Sequence, residues 1–344
     1  MSAKISIAMA TFNGQSYLYD QLDSLARQTL KPKEVVICDD GSTDRTLEIV
    51  EQFKRKSEFE VRVYQNEKRL GYADNFLKAA SLCTGDWIGF CDQDDVWALD
   101  KLEIVSEYIR KNPSAVLIAH PAELVNYDLT RTGDFAWASA YIVYPRLTMP
   151  FFQSGMGCGQ VFRAFLVKDV PYSYRFPASP KTNDVVPHDD WILRLSQCIG
   201  SACYIPEALV KRRRHSESAT AENKPPASAQ PGKGYLKRRL RKRIPADVLL
   251  YHAKFLQNRA IALGLLSDTS SPILLDELRS AKCYYERSAI IMTERANLRR
   301  SKLHLRVAIL LRLVLSCEYW RAGTAIGGWR SAARDVLEVF TWRK

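Results

Sequence analysis

The first 120 residues alternate short apolar runs with segments whose apolar residues recur at every third or fourth position. The runs at 5–10, 34–38, 61–64, 87–91 and 115–119 predict five buried strands. The segments between them predict amphipathic helices: Leu18, Leu22 and Leu25 share one helical face, and Asn13 is placed to cap that helix. Strands that alternate with helices predict right-handed βαβ units and a mostly parallel sheet, hence an α/β fold.

Polar residues follow three of these strands where each strand ends. Residues 10–13 (Ala-Thr-Phe-Asn) end the first strand, 39–42 (Asp-Asp-Gly-Ser) the second and 92–95 (Asp-Gln-Asp-Asp) the fourth. Because ligands bind beyond the carboxyl ends of strands in open α/β sheets, we expect the three segments to converge on one edge. This edge would then carry an aromatic ring, a carboxylate that can accept from a base N–H, and a pair of metal-binding carboxylates. Together they predict a clamp for a nucleoside diphosphate.

The segment 92–95 places three carboxylates within four residues. Their mutual repulsion raises the pKa of at least one of them unless a cation lies among them. Carboxylate oxygens are hard ligands that suit Mg²⁺ or Mn²⁺, which also bind phosphate oxygens. The alternative interpretation is a solvated acidic turn, since Asp is common in turns.

The pattern changes after residue 120. Residues 120–210 are irregular and rich in aromatic residues, Gly and Pro, whereas 221–234 has the composition of a linker. Helical periods then return at 249–263, 274–285 and 303–314. We therefore predict a first domain at 1–220, divided into halves at 1–120 and 121–220, a linker at 221–235, and a basic helical C-terminal extension at 236–344.

Positive charge is concentrated in one segment. The net charge is +12, and residues 211–243 contain 12 Lys and Arg against 2 acidic residues, which gives +10 within that segment. A local excess of this size predicts a polyanionic partner or an anionic membrane surface. The aromatic residues are not interleaved with this run as in single-strand-binding platforms, so we do not expect nucleic-acid binding.

The cysteines and the first residues bear on the compartment. None of the eight cysteines forms a Cys-x-x-Cys pair, and several lie within apolar runs, as buried free thiols do. Residues 1–5 lack the apolar core of a signal peptide, and no run approaches the ~20 apolar residues of a spanning helix. We expect a reduced, cytoplasmic protein.

Six segments together resemble the family 2 glycosyltransferases with the GT-A fold, and most of all their bacterial rhamnosyltransferase-like branch. They are Thr11-Phe12-Asn13-Gly14, Asp39-Asp40-Gly41-Ser42-Thr43-Asp44, Leu70-Gly71-Tyr72-Ala73-Asp74-Asn75-Phe76, Gly85-Asp86, Asp92-Gln93-Asp94-Asp95-Val96-Trp97 and His188-Asp189-Asp190-Trp191. The resemblance covers roughly residues 4–215 and implies a GT-A domain with a nucleotide-sugar-binding half at 1–120 and an acceptor-binding, catalytic half at 121–220.

The resemblance implies roles for individual residues. Residues 92–94 become the DXD motif, in which Asp94 ligates the metal and Asp92 lies nearer the ribose or a metal-bound water. Asp40 becomes the carboxylate that recognises the base. Phe12, between Thr11 and Asn13, becomes the ring beside the base, in place of the family's commoner Tyr. A basic contact near the base is assigned to Arg69, with Lys68 as the substitute.

The same resemblance implies an inverting mechanism with a general base in residues 188–191. Asp189 is favoured because the familiar form is His-Asp-x-Trp, and Asp190 is the alternative. In a purely structural interpretation, both carboxylates only cap the helix that follows. His215 falls in an Arg-x-His pattern that the family has near the diphosphate, which implies that His215 is a metal ligand. A neutral imidazole suits Mn²⁺ better than Mg²⁺. A solvated basic loop is the competing interpretation.

These observations predict a metal-dependent glycosyltransferase that moves a sugar from a nucleoside-diphosphate sugar, with dTDP-rhamnose as the donor favoured by the resemblance, to a glycan acceptor of a bacterial surface polysaccharide such as O-antigen. The basic run at 237–243 and the cations around 303–316 (Arg299, Arg300, Lys302, Arg306) predict peripheral attachment to the inner face of the cytoplasmic membrane, where a lipid-linked acceptor is presented. The alternatives are an inactive sugar-nucleotide-binding or scaffolding relative and a basic nucleic-acid-binding protein.

Overall fold

The described part of the chain contains twelve strands and nine α-helices. The strands are β1 (Ile5–Thr11), β2 (Glu34–Asp39), β3 (Glu60–Gln65), β4 (Trp87–Asp92), β5 (Val96–Trp97), β6 (Ala115–Ala119), β7 (Ala122–Val125), β8 (Arg131–Phe135), β9 (Ile142–Tyr144), β10 (Gln160–Arg163), β11 (Ser201–Tyr204) and β12 (Val210–Arg213). The helices are α1 (Leu18–Ala26), α2 (Thr46–Lys56), α3 (Tyr72–Leu82), α4 (Lys101–Lys111), α5 (Phe165–Lys168), α6 (His188–Ile199), α7 (Ala246–Thr269), α8 (Leu275–Arg300) and α9 (Leu303–Leu315).

A computed structural model describes residues 3–136, 138–149, 155–178, 184–215, 245–269, 274–301, 303–315 and 335–336. The chain divides into two units. The first comprises Met1–Arg146, Ser154–Ser173 and Pro187–Ala221, and the second Leu147–Gln153, Tyr174–Val186 and Glu222–Lys344. The predicted linker at 221–235, the basic run at 237–243, Lys302 and Cys317 lie outside the described residues.

The first unit is built on an eight-stranded sheet with the order β3-β2-β1-β4-β10-β6-β11-β9. Strands β3, β2, β1 and β4 run parallel to one another, and β10 inserts antiparallel between β4 and β6. All seven residues of β1 are buried. Strands covered by helices on both faces are apolar along their whole length, which is why the sequence shows runs rather than alternation.

Helices cover both faces of this sheet. On one face, Leu22 of α1, Val50 of α2 and Leu102 of α4 join one apolar cluster with β1 and β2. On the other face, α3 packs against β1 and β2, and α6 packs against β6 and β10. The predicted parallel α/β arrangement of the first 120 residues is confirmed. The helix faces that the sequence predicts to be apolar are the ones that pack into the core of the first unit.

The expectation that Asn13 caps α1 is wrong. The helix begins at Leu18, and its N-cap residue is Tyr17. Asn13 has a left-handed backbone (φ 46°), and its side-chain oxygen accepts from the amide of Thr43 at 2.9 Å. Asn13 therefore ties the loop after β1 to the loop after β2 instead of starting a helix.

A second, four-stranded sheet has the order β5-β12-β7-β8. Its two-residue strand β5 follows the acidic segment 92–95 directly and pairs antiparallel with β12, with Val96 opposite Lys211 and Trp97 opposite Val210. This pairing carries residues 211–215 to the carboxyl end of β4. The irregular pattern of residues 120–210 does not indicate strands β7 and β8, nor β12 at its end.

The second unit contains α7, α8 and α9, in agreement with the predicted helical extension. Within it, Asp335 is fully buried and accepts from Arg295 Nε at 2.7 Å and from Arg299 Nη2 at 3.1 Å. Arg306 is also only 5% exposed and donates to the Ser301 carbonyl. The prediction that Arg299 and Arg306 face a membrane surface is therefore wrong, because both are buried.

Two further expectations bear on the compartment. In the described part of the chain, none of the helices combines the length and apolar character that crossing a bilayer requires. The seven described cysteines are free thiols, and six of them are buried, as their positions in apolar runs predict.

Glu34 begins β2, at the opposite end of the strand from Asp39, and is fully buried. Its carboxylate accepts from Ser6 Oγ at 2.7 Å, from Thr84 Oγ1 at 2.7 Å and from Arg62 Nε at 2.9 Å. Burial alone raises the pKa of Glu34, but the hydrogen bonds from Ser6, Thr84 and Arg62 outweigh it and lower the pKa to about 2.

We predict that Glu34→Gln lowers the free energy of unfolding at pH 7 by about 3 kcal/mol, because an amide cannot accept from all these donors. The ionised Glu34 contributes its stability above the ordinary pKa of 4.5 and loses it as the pH falls towards 2. Urea unfolding of both proteins between pH 2 and 7 measures this. Glu60→Gln is the matched control, since Glu60 is 61% exposed and 3.7 Å from the same Arg62; equal losses in the two variants would contradict the prediction.

Candidate functional site

The polar ends of β1, β2 and β4 lie side by side because these three strands are adjacent and parallel. Thr11 is opposite Asp39 in the register of β1 with β2, and Ala10 is opposite Asp92 in that of β1 with β4. The three segments that the sequence predicts to converge therefore do meet at one edge of the sheet.

Asp40 lies at this edge and is 3% exposed. Its Oδ1 accepts from Asn66 Nδ2 at 2.8 Å and from the amide of Leu70 at 2.7 Å, and its Oδ2 accepts from the amide of Gly71 at 2.8 Å. Gly71 has φ 81°, a backbone conformation that favours glycine. A carboxylate oxygen has two lone pairs, so Oδ2 retains one for a further donor.

Arg69 and Phe12 form a stack beside Asp40. The Arg69 guanidinium carbon lies 3.8 Å from the centre of the Phe12 ring, and Arg69 Nε lies 4.0 Å from Asp40 Oδ2. A planar cation on a ring face is an attractive arrangement and also a surface on which another planar group can stack. The structure thus brings Phe12, Asp40 and Arg69 together, as the sequence predicts.

Thr11 and Asn13 support this arrangement from within the protein. Thr11 is buried, and its hydroxyl donates to Asp39 Oδ2 at 2.8 Å. Asp39 Oδ1 accepts from the amide of Ser42 at 2.8 Å. The hydroxyl of Thr11 is therefore occupied by Asp39, and this contact, with that of Asn13 to the amide of Thr43, holds together the loops that carry Phe12 and Asp40.

The acidic segment after β4 holds its three carboxylates in different ways. Asp94 Oδ2 lies 2.8 Å from His215 Nε2. Asp95 is 1% exposed; its Oδ1 accepts from the amide of Arg213 at 3.0 Å, and its buried Oδ2 has no hydrogen-bond partner among the described residues. Burial and the neighbouring Asp94 raise the pKa of Asp92 to about 7, against the opposing charge of Arg212.

This donor set fits a hard divalent cation. Carboxylate oxygens of Asp92 and Asp94 with the His215 imidazole match the preferences of Mn²⁺, and a cation would offset both the burial and the repulsion from Asp94 that raise the pKa of Asp92. Among the described residues, the three that place ligand atoms within 4.8 Å of one another are Asp92, Asp95 and Cys158, a different set from the predicted Asp92, Asp94 and His215. Burial raises the pKa of the Cys158 thiol well above its usual range, so Cys158 is a poor ligand for such an ion.

Two arginines of β12, Arg212 and Arg213, surround this segment. Arg213 Nε donates to the carbonyl of Asp94 at 2.9 Å, Arg213 Nη2 pairs with Asp20 at 2.7 Å, and its guanidinium lies 4.7 Å from the Tyr17 ring centre. Arg212 instead lowers the pKa of both Asp92 and Asp189. The sequence shows only a cluster of basic residues at 211–214; strand alternation separates the buried Arg213 from the partly exposed Arg212.

Lys101 is a third cation that the sequence does not reveal. It is fully buried at the start of α4, donates to the Cys158 carbonyl at 2.7 Å, and lies 3.5 Å from the Trp97 ring centre. Burial lowers the pKa of Lys101 to about 8. Its charge acts on Asp92 and so offsets part of the acidic cluster from inside the protein.

Asp189 and Asp190 lie in the first turn of α6 and differ in their partners. Asp190 Oδ1 accepts from Arg194 Nε at 3.1 Å, one helical turn later. Asp189 Oδ1 accepts from the amide of Asp190 at 2.8 Å, and burial together with the Asp190 carboxylate raises the pKa of Asp189 to about 6. Asp189 also contributes to the raised pKa of Asp92, which places the two carboxylates within electrostatic range.

Known proteins similar to this chain include sugar-transferring enzymes. The sequence model described as "Glycosyl transferase family 2" matches residues 6–170. An uncharacterized protein of Mycobacterium tuberculosis is 26% identical over 219 residues, which cover 62% of this chain and 59% of that protein. UDP-Glc:alpha-D-GlcNAc-diphosphoundecaprenol beta-1,3-glucosyltransferase WfgD of Escherichia coli is 29% identical over 154 residues, which cover 45% of this chain and 57% of that enzyme. The chain thus matches less than two thirds of the length of these relatives.

Solved structures share the fold. The crystal structure of S. aureus TarS 1–349 has a TM-score of 0.50 at 16% identity and covers 99% of this chain and 93% of that chain. Its complex with UDP-GlcNAc has the same TM-score at 17% identity, with the same coverage of both chains. A likeness at this identity bears on the fold alone. Together with the mostly parallel sheet and the C-terminal helices, it confirms the GT-A-type architecture that the sequence predicts.

Proposed function

Since residues 6–170 belong to glycosyl transferase family 2, we propose that this chain is a metal-dependent, inverting glycosyltransferase that uses a nucleoside-diphosphate sugar. The observation that carries this proposal is the convergence of two unlike ends at one sheet edge. The ring of Phe12 with Asp40 and Arg69 forms a place for a base, and Asp92, Asp94 and His215 form a place for a metal and its diphosphate. A nucleoside diphosphate is a ligand that needs both.

The base end suits uracil or thymine. Both bases carry a ring N–H between two carbonyl groups, and the remaining lone pair of Asp40 Oδ2 accepts from such an N–H. The Arg69 side chain supplies a donor for a flanking carbonyl, and the Phe12 face stacks with the ring. UDP-GlcNAc in the TarS complex and UDP-Glc in the name of the E. coli relative belong to this class, as does dTDP-rhamnose.

Asp92, Asp94 and His215 would hold Mn²⁺ or Mg²⁺, which offsets the charge of the departing diphosphate. Asp94 and His215, whose side chains are in contact, would ligate the metal directly, and Asp92 would lie nearer the ribose or a metal-bound water. Arg213 fixes the backbone of this segment through the Asp94 carbonyl, so that its carboxylates keep their positions. Arg212 adds positive charge on the side of Asp189.

Asp189 is the general base that takes the proton from the acceptor hydroxyl. Its raised pKa of about 6 brings it near the working pH, which favours proton transfer, whereas Asp190 is held by Arg194. Attack by that hydroxyl from the face opposite the diphosphate inverts the anomeric centre. The acceptor is a glycan, and the diphosphoundecaprenol in the name of the E. coli relative supports a lipid-linked one in surface polysaccharide synthesis.

Helix α9 supplies the membrane contact in this proposal. Leu305 is 50% exposed and Leu311 is 53% exposed, with Ala308 between them on the same exposed face. Arg300 and Arg312 are exposed at either end of this stretch, where they pair with Asp247 and Glu294. An exposed apolar face with flanking cations is typical of a helix that lies in the interface of an anionic bilayer.

For the donor site, we predict binding of one pyrimidine nucleotide sugar in the presence of Mn²⁺, and its loss in EDTA. Asp94→Ala should weaken binding about a hundredfold and Asp40→Asn about tenfold, since each removes a charge-assisted contact. Calorimetry with UDP-GlcNAc, UDP-Glc and dTDP-rhamnose measures this, with the exposed Asp134→Ala as control. Absence of binding under every metal condition would defeat the enzymatic proposal and favour the scaffold alternative.

For the base, we predict that Asp189→Asn lowers kcat by about 10²–10⁴, the usual contribution of a positioned general base, and Asp190→Asn by much less. Asp189 acts when ionised, so kcat/KM should rise as the pH increases through about 6 and level off above it. Steady-state rates between pH 5 and 8 measure both effects. A larger loss in Asp190→Asn, or the same rise in an Asp189→Asn protein, would assign the base elsewhere.

For the membrane contact, we predict that replacing Leu305 and Leu311 with Glu reduces flotation with liposomes containing phosphatidylglycerol. The two carboxylates remove apolar area and repel anionic lipid. The matched control replaces Ile261 and Leu265 of α7, which are 59% and 50% exposed, with the same two carboxylates. Equal flotation of the two variants would show that α9 is not the contact.

A further inference from the structure

Gln93, the residue between Asp92 and Asp94, pairs with the backbone of Phe12 in both directions. Its Oε1 accepts from the Phe12 amide at 2.9 Å, and its Nε2 donates to the Phe12 carbonyl at 3.0 Å. A primary amide that hydrogen-bonds to both the N–H and the carbonyl of one residue fixes the distance and the orientation of that residue relative to the amide. The contact joins loops that are 81 residues apart in sequence.

Gly14 is shaped around this contact. A Cβ atom at Gly14 would lie 2.4 Å from Gln93 Oε1 and 2.7 Å from Gln93 Cδ. The backbone of Gly14 is not in the left-handed region, in contrast to Gly41 and Gly71. Glycine at position 14 therefore leaves the space that the Gln93 amide occupies, and its backbone conformation does not itself demand glycine.

Two other residues of the loop after β1 contact the segment after β2. The Asn13 amide donates to Ser42 Oγ at 2.9 Å, and the Gly14 amide donates to Thr46 Oγ1 at 2.8 Å. Both partners follow β2. Gln93 is therefore the side chain that ties the Phe12 loop to the acidic segment, while Asn13 and Gly14 tie it to the segment that carries Asp40.

We propose, on the basis of the proposed function, that Gln93 is a positioning residue that sets the distance between the base end and the metal end of the donor site. A nucleoside diphosphate has a limited span, so it gains affinity when the sites for its two ends are already at a separation that it can bridge. Gln93 touches neither base nor metal in this role. It acts through Phe12 on one side and through the adjacent Asp92 and Asp94 on the other.

The test is a double-mutant cycle of Gly14→Ala and Gln93→Ala, with UDP and Mn²⁺ as the probe in calorimetry. An alanine at position 14 meets the far end of a flexible side chain, so it displaces the Gln93 amide while the protein stays folded. Each single variant should bind UDP about tenfold more weakly in Mn²⁺, and the double variant no more weakly than Gln93→Ala alone. The controls are Gln52→Ala, an exposed amide on α2, and Gly133→Ala, where a Cβ meets no atom within 4 Å.

Partial ligands separate positioning from general weakening. Uridine alone and Mn²⁺ alone occupy one end each, so Gln93→Ala should change their affinities less than about threefold. Wild-type affinity for UDP in Gln93→Ala, additive losses in the cycle, or equal losses for UDP and uridine would overturn the proposal while the proposed function stands. Failure of the unchanged chain to bind UDP or any other pyrimidine nucleotide with Mn²⁺ would overturn both.

Discussion

The carboxyl end of β4 depends on one electrostatic constraint, which is that Asp92, Asp94, Asp95 and Asp189 share a small and largely buried volume. Like charges are costly in a low-dielectric interior, and the pKa of Asp92 shows this cost, because burial and the neighbouring Asp94 and Asp189 raise it. Much of the surrounding architecture supplies compensation. The second sheet brings Arg212, Arg213 and His215 to this end, and Arg213 and His215 come from 118 and 121 residues beyond their partners Asp95 and Asp94. Helix α4 begins with the buried Lys101.

The sequence predicts which residues meet at the edge of the sheet, but it does not predict the cations that offset the charge of the carboxylates. Apolar runs locate β1, β2 and β4, and the direction of parallel strands then fixes where Phe12, Asp40 and Asp92 meet, so this much follows from local pattern. The cations follow from strand pairing between distant segments, which no local period encodes. Four consecutive basic residues at 211–214 look alike in sequence, yet β12 buries Arg213 and leaves Lys211 exposed. Lys101 has the pattern of an ordinary helix start, and only burial reveals it.

The strands after residue 120 were missed for a related reason. Strands β7, β9, β10, β11 and β12 are three or four residues long. A segment of that length carries too few positions to establish a period of two. The Asn13 cap failed because its side chain bonds across loops to Thr43, a tertiary contact that outweighs local helix preference. Such misses cluster where the chain builds its ligand-facing loops, which are shaped by contacts across the fold.

The antiparallel strand β10 has a consequence for how the chain acquires its structure during synthesis. Gln160–Arg163 is the neighbour of both β4 and β6, so β6 gains its first partner in the sheet only when the chain has passed residue 160. Until then, a growing polypeptide holds β4 with one unpaired edge and β6 with two. Open strand edges pair readily with other chains. A gene fragment that ends near residue 120 is therefore expected to yield insoluble protein, although its sequence reads as a complete nucleotide-binding half.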